Sequence, residues 1–146
     1  MNITFKKLRP DAIIPHSATK QSAGLDLHAC LDAPLTLNPG ECVTIHCGVA
    51  CCPEDENVVM LVFIRSSIGR LHQITLANSV GVIDSDYRGE IMVPIINHGT
   101  KPYTLEPGER FAQLVIVPAI FANVLESDYL PETERGENGF GSTGRL

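Results

Sequence analysis

Short apolar runs, repeatedly interrupted by glycine and proline, set the tightest limit on what this chain can fold into. The 146 residues hold 12 Gly and 10 Pro, spread from end to end. Such punctuation suits many short strands joined by turns, so the expected class is all-β in a single domain. Alternation marks strands over 3–8, 24–30 and 33–37. Asn38-Pro39-Gly40 is a turn, with Pro presetting φ and Gly permitting φ > 0. A β-rich stretch covers 41–52, and 53–57 is a polar loop. Val58 to Ile64 is continuously apolar, the pattern of a strand buried on both faces. Ser66 to Leu71 offers a short helical turn capped by serine. Strands follow over 74–84 and 89–97 around Ser85-Asp86. A turn at Pro107-Gly108 leads into 111–117, which Pro118 ends. Residues 1–126 are expected to form the core domain. From Ser127 on, the chain is too polar and Gly-rich to build a core, and 127–146 reads as a mobile arm.

Charge excludes some partners. The net charge is −6 and no Lys/Arg stripe exists, so nucleic acid is not an expected partner. A small anion is still accessible to a few arginines and backbone N–H groups. No apolar window approaches the roughly 20 residues that span a bilayer. Cysteines stand at 30, 42, 47, 51 and 52, an odd number, and Met1 to Lys7 lacks an apolar leader segment. Reduced thiols in a cytoplasmic protein are the expectation. Cys47, Cys51 and Cys52 lack a second ligand pair of zinc-site spacing, which favours plain strand residues. The five histidines show no metal or triad spacing.

Five blocks combine Gly or Ser with charge. In Ala23-Gly24-Leu25-Asp26-Leu27, Asp26 suits either a hydrated Mg²⁺ or the closing of a turn. Arg65-Ser66-Ser67 follows the most apolar strand. Its hydroxyls, N–H groups and guanidinium suit an anion nest, a helix cap, or both. In Gly81-Val82-Ile83-Asp84-Ser85-Asp86-Tyr87-Arg88-Gly89, a hairpin from about Asn78 exposes edge groups to a planar base. There Asp84 suits a general base and Tyr87 a floor under a deoxyribose, against a plain hairpin. Arg110 and Gln113 bracket a strand start, as surface residues or as anion contacts. The last block, Arg135 to Gly144, offers close backbone approach to phosphate without a P-loop ending. Arg135, Ser142 and Thr143 are donors and Phe140 a stacking face, against a plain flexible tail.

In this order the blocks resemble the five motifs of the trimeric dUTPase family, from residue 23 to 144. Residues 81–90 and 135–144 are the most specific. The resemblance implies a jelly-roll-like, β-clip subunit, a homotrimer with sites shared at its interfaces, and Mg²⁺-dependent hydrolysis of dUTP to dUMP and pyrophosphate. That reaction limits uracil in DNA and supplies dUMP for thymidylate synthesis. It also implies roles. Asp84 activates the water that attacks the α-phosphorus, and Tyr87 excludes ribonucleotides. Asn78, Gly81 and Ile83 read uracil, while Arg65, Ser66, Ser67 and Gln113 contact phosphate. Asp26 reaches Mg²⁺ through water. Arg135, Phe140, Gly141, Ser142 and Thr143 belong to the arm that closes over substrate, with Phe140 on the base.

Two positions depart from the family pattern: Asn138 stands where Gly is usual, and Ser67 where many members have Gly. Asn is the next best residue for φ > 0. A dCTP deaminase, a relative of the same subunit fold, would suit Arg65 to Arg70, but no Glu stands where its proton shuttle is needed. A non-catalytic β-module would not need Asp84 and the final block together.

Overall fold

The computed structural model describes residues 1–139; Phe140, Gly141, Ser142 and Thr143 lie outside the described residues. Eleven strands and one short helix follow in order: β1 (Ile3–Lys7), β2 (Gly24–His28), β3 (Leu35–Leu37), β4 (Cys42–His46), β5 (Val49–Pro53), β6 (Val58–Ile64), α1 (Ser66–His72), β7 (Ile74–Leu76), β8 (Gly81–Asp84), β9 (Met92–Asn97), β10 (Tyr103–Leu105) and β11 (Arg110–Pro118). The class is therefore all-β. Every strand pairing is antiparallel, in sheets ordered β1-β5, β10-β3, β2-β11-β6-β8 and β4-β9-β7.

The sheets close on one core. Leu27, Leu37, Ile45, Met60, Ile74, Ile91, Ile95, Leu105, Phe111 and Leu114 are fully buried in it. Each such side chain contributes about 1.5–3 kcal/mol of burial. The one buried amide side chain, Asn97, has its partners. Its Nδ2 donates to the carbonyls of Leu37 and Lys101, both at 2.9 Å, and its Oδ1 accepts from Gly99 N at 2.8 Å. That satisfies a group whose burial would otherwise be unfavourable, and it ties β9 to β3.

The expected turns at Gly40 and Gly108 are present, with φ of 79° and 76°. One expectation is met in finer detail and two need correction. The stretch 41–52 is two strands, because Gly48 turns the chain at φ 67°. A Cβ there would lie 2.6 Å from Cys30 Sγ and 2.8 Å from Ala12 Cβ, so the chain passes the core too closely for a side chain. The stretch 74–84 is also two strands, broken where Ser79 takes φ 66°, and its halves join different sheets. At α1 the cap is Arg65, without a side-chain cap bond, and Ser66 is already helical. Cys30, Cys47 and Cys51 are buried packing residues, Cys52 is half-buried and Cys42 is exposed. All five are free, and burial pushes the Cys47 thiol up to about 12 and that of Cys51 up to about 11. Such groups are not thiolates near neutral pH. Among the described residues no three His, Cys, Asp or Glu side chains gather as a metal site, and no helix is long and apolar enough to cross a membrane.

The strand β6 departs instructively from its pattern. Val58, Met60 and Val62 face the core, whereas Val59, Leu61 and Phe63 stay part-exposed. Across the ladder, Val115 and Val117 of β11 pair with Leu61 and Val59 and are part-exposed too. Val82 of β8, paired with Leu61, is 65% exposed. The four-stranded sheet thus carries an apolar outer face that the described residues of this chain do not cover. Beyond β11, Ala119 N–H still donates to Asn57 O. The hydrogen bonds described for residues 120–139 are local. Ile120, Phe121, Val124, Leu125, Tyr129 and Leu130 are all exposed there.

Candidate active site

Two groups of the expected residues assemble at opposite corners of the four-stranded sheet. The first centres on Asp26, in the middle of β2. β-Pairing puts Gln113 beside Asp26 and Phe63 beside Gln113. The register of β11 against β2 shifts between Arg110 and Ala112. Such a bulge re-aims a side chain, and Arg110 Nη1 reaches Asp26 Oδ2 at 3.0 Å. Arg65, where β6 ends, brings its Nε to 3.3 Å from Asp26 Oδ1 and donates from Nη1 to Arg110 O at 3.1 Å. The side chain of Asp26 is only 12% exposed. Burying a carboxylate is unfavourable without a cation or donor, and here two guanidiniums supply both. Gln113 lies across Gly24, where a Cβ would come 2.5 Å from its Oε1. Ser66 and Ser67 are exposed beside Arg65. The result is a cluster of two arginines, one carboxylate, an amide and two hydroxyls, net positive and open to solvent.

Arg110 was expected only as an anion contact or a surface residue at a strand start. Its pairing with Asp26, 84 positions earlier in the chain, leaves no local signal. The adjoining His28 is buried, with Nδ1 lacking any hydrogen-bond partner, and its ring stacks on His16 at 5.5 Å between centroids. Burial first, and then the neighbouring His16, lower its pKa from 6.5; Arg110 and Arg65 act the same way, against Asp26. The sign of the consequence follows from linkage. Unfolded His28 takes up a proton near pH 6.5, folded His28 only at lower pH, so the unfolded state gains protons first. Stability is expected to fall as pH drops below about 6.5. His28→Phe keeps a ring against His16 and cannot titrate, so it should lose that part of the fall. Chemical unfolding at several pH values, with equal slopes in both proteins, would contradict this.

The second group surrounds a cleft of about 190 Å³ lined by Val82, Ile83, Asp84, Tyr87, Glu90, Ile91 and Met92. Ligand pockets usually run from about 300 Å³ upward, so this cleft alone is small for a whole nucleotide. Asp84 is the last residue of β8, opposite Val59 and exposed. Its carbonyl accepts from Tyr87 N–H at 3.1 Å. Its carboxylate has no hydrogen bond or ion pair among the described residues. Ser85 Oγ donates to Glu56 O at 2.8 Å, and Arg88 Nη1 folds back onto the carbonyls of Ser85 and Tyr87. Glu90 fastens the far end of this loop. Its carboxylate accepts from Gly48 N–H and meets His46 Nδ1, both at 2.8 Å. Gly81 opens β8, and Asn78 is exposed in the preceding turn. Arg135 stands in an exposed turn of the C-terminal segment, its carbonyl accepting from Asn138 N–H.

The two groups do not meet within one chain. From β2 to β8 is three inter-strand steps, and from the Phe63 row to the Val59 row is four residues. At about 4.8 Å per step and about 3.3 Å per residue, Asp26 and Asp84 are roughly 20 Å apart.

The described residues thus form an all-β subunit with a two-arginine cluster around Asp26 and a separate small cleft beside Asp84. The dUTPase family pattern matches residues 10–144, and the chain belongs to that family. It is 52% identical over 132 residues to the deoxyuridine 5'-triphosphate nucleotidohydrolase of Paraburkholderia phymatum, covering 90% of this chain and 89% of that one. The protein of the same description from Aeromonas salmonicida is 47% identical, covering 90% and 87%. A mutant dUTPase of Staphylococcus bacteriophage 80alpha with dUpNHpp superposes with a TM-score of 0.88, 27% identity and 98% coverage of both chains. The chain is accordingly a hydrolase.

Proposed function

We propose that the chain hydrolyses dUTP to dUMP and pyrophosphate at sites assembled from several copies of itself. The observation that carries this reading is the division of the site. The anion cluster around Asp26 and the cleft beside Asp84 each suit half of a nucleoside triphosphate, and both lie on one sheet. A second copy supplies one half to the other. The bare apolar face of that sheet and the exposed apolar segment 120–130 support such packing. In this reading the assembly is a homotrimer, in keeping with the chain's membership of the dUTPase family, with residues 127–146 of a third copy as the closing arm. Phe140, Gly141, Ser142 and Thr143 cover substrate there, and Arg135 pairs with phosphate.

The chemistry follows from the residues. Uracil lies along the free edge of β8, read by the backbone of Gly81 and Ile83 and by Asn78, with the sugar over Tyr87. Asp84 takes a proton from a water as its oxygen bonds to the α-phosphorus. The bond from that phosphorus to the bridging oxygen breaks, and pyrophosphate leaves with the electron pair. Arg65, Arg110, Ser66, Ser67 and Gln113 donate to the phosphates and offset the charge that develops on the leaving group. Mg²⁺ fits this frame in one way. Oδ2 of Asp26 accepts from Arg110 Nη1 and Oδ1 is ion-paired with Arg65, yet a carboxylate has about four lone-pair sites. Asp26 therefore has capacity to accept from a metal-bound water. With one or two carboxylates and substrate phosphates as its usual partners, Mg²⁺ would enter with the triphosphate and neutralise it. A mutant dUTPase from phage phi11 of S. aureus, 22% identical at a TM-score of 0.80, is described as revealing the coordination of a structural Mg(II) ion. Free thiols suit a reducing cytoplasm, and the dUMP formed serves thymidylate synthesis while uracil is kept from DNA.

The test is product analysis with dUTP, dCTP, dTTP and UTP, with and without EDTA. Pyrophosphate and dUMP from dUTP alone, dependent on Mg²⁺, is expected. Ammonia from dCTP, or nucleotide bound without turnover, would overturn it.

A further inference from the structure

We infer that Gly89 is a positioning residue that acts through the ring of Tyr87. The inference rests on the reading of Tyr87 as the residue beneath the sugar, and concerns what holds that ring in place. The ring is pinned at both ends of its length. Its backbone N–H donates to Asp84 O at 3.1 Å, and its hydroxyl donates to Glu90 O at 3.1 Å. The hydroxyl end of the ring lies over Gly89. A methyl group built on Gly89 would fall inside the contact distance of Tyr87 Oη and Cζ, and 2.9 Å from Cε2. Carbon atoms in good contact stand about 3.5–4.0 Å apart, so ring and methyl cannot both occupy these places.

The backbone does not impose glycine here. Among the described residues, the glycines with positive φ are Gly40, Gly48, Gly108 and Gly136, and Gly89 is not among them. The constraint is therefore the ring alone. The other end of the loop is fixed independently, since Glu90 is held by Gly48 N–H and His46. A side chain at 89 cannot push the backbone aside, and the part that yields is the ring. Tyr87 lines the cleft and Gly89 does not, so the ring stands between the two. Pressure from Gly89 drives it from its bed toward the space the sugar needs, or off the floor of the cleft.

The experiment is a double-mutant cycle on the full chain. Gly89→Ala should lower kcat/KM for dUTP about tenfold or more, the scale of one misplaced methylene in a binding pocket. The loss should lie in KM, with the melting temperature little changed. Tyr87→Ala should narrow the ratio of kcat/KM for dUTP over UTP. In the Tyr87→Ala background the ring is gone, so adding Gly89→Ala should change neither substrate's kcat/KM. Non-additivity of that kind is the signature of two residues acting through one contact. Equal losses from Gly89→Ala in both backgrounds would overturn the inference, because they would place the effect in the backbone. So would no loss in the parent protein. An unchanged dUTP-to-UTP ratio in Tyr87→Ala strikes instead at the sugar-reading role of Tyr87, and is a separable result.

Discussion

Replacing Asp84 with Asn is expected to lower turnover of dUTP by about 10²–10⁴-fold, the usual contribution of a positioned general base. The substitution keeps the shape of the side chain and removes its basicity. Asp84 is exposed at the end of β8, and its carboxylate has no partner among the described residues. An exposed substitution without such partners usually changes stability by less than about 0.5 kcal/mol, so loss of fold will not mimic loss of base. The hydrogen bond from Tyr87 N–H runs to the Asp84 carbonyl, which the variant retains. The cleft and its floor should survive. A non-hydrolysable dUTP analogue should then bind Asp84→Asn with near-parental affinity, measured by calorimetry, while pyrophosphate release collapses. Near-normal kcat would mean that the proton is taken elsewhere, with Asp86 the nearest other carboxylate of that loop. Lost binding together with lost turnover would mean that Asp84 holds substrate rather than activating water.

What the sequence disclosed was the local chemistry. Pro39-Gly40 and Pro107-Gly108 announce their turns because the conformations they need strongly favour those residues. The alternation of apolar residues placed most strands, and the charged Gly- and Ser-containing blocks located the candidate residues. What stayed hidden depends on contacts distant in sequence. Gly48 breaks the 41–52 stretch because Cys30 and Ala12 crowd it, and Glu90 reaches it from 42 positions away. Nothing in Arg110-Phe111-Ala112 tells that a bulge turns Arg110 onto Asp26. The three residues of β10 are too few for a periodic signal. β6 misled in a different way: an unbroken apolar run states that both faces avoid water, not which molecule covers the second face. Within the single chain that face is half bare, and the same fact bears on how the site is completed.

Mixing two inactive variants should restore activity, and the amount restored measures how the site is divided. Arg65→Ala removes one guanidinium from the cluster and leaves the Asp84 cleft intact. Asp84→Asn does the reverse. With the two groups roughly 20 Å apart along one sheet, a single chain cannot bring both to one α-phosphorus. On the proposed reading, a working site combines the cluster of one copy with the cleft of another, across a repeated interface. In homotrimers assembled at random from equal amounts, half the clusters are intact. Half of the clefts facing them are intact as well. About a quarter of the sites therefore combine two good halves. Each variant alone should be nearly inactive, while the mixture, after subunit exchange or joint refolding, should recover roughly a quarter of the parental rate. Any site contained in one chain predicts no recovery, because every copy carries a lesion. Stoichiometry sharpens the result. Recovery should peak at equal proportions and vanish at either extreme, following the product of the two fractions. A flat dependence on proportion, or a fully active monomer by light scattering, would sink the shared site.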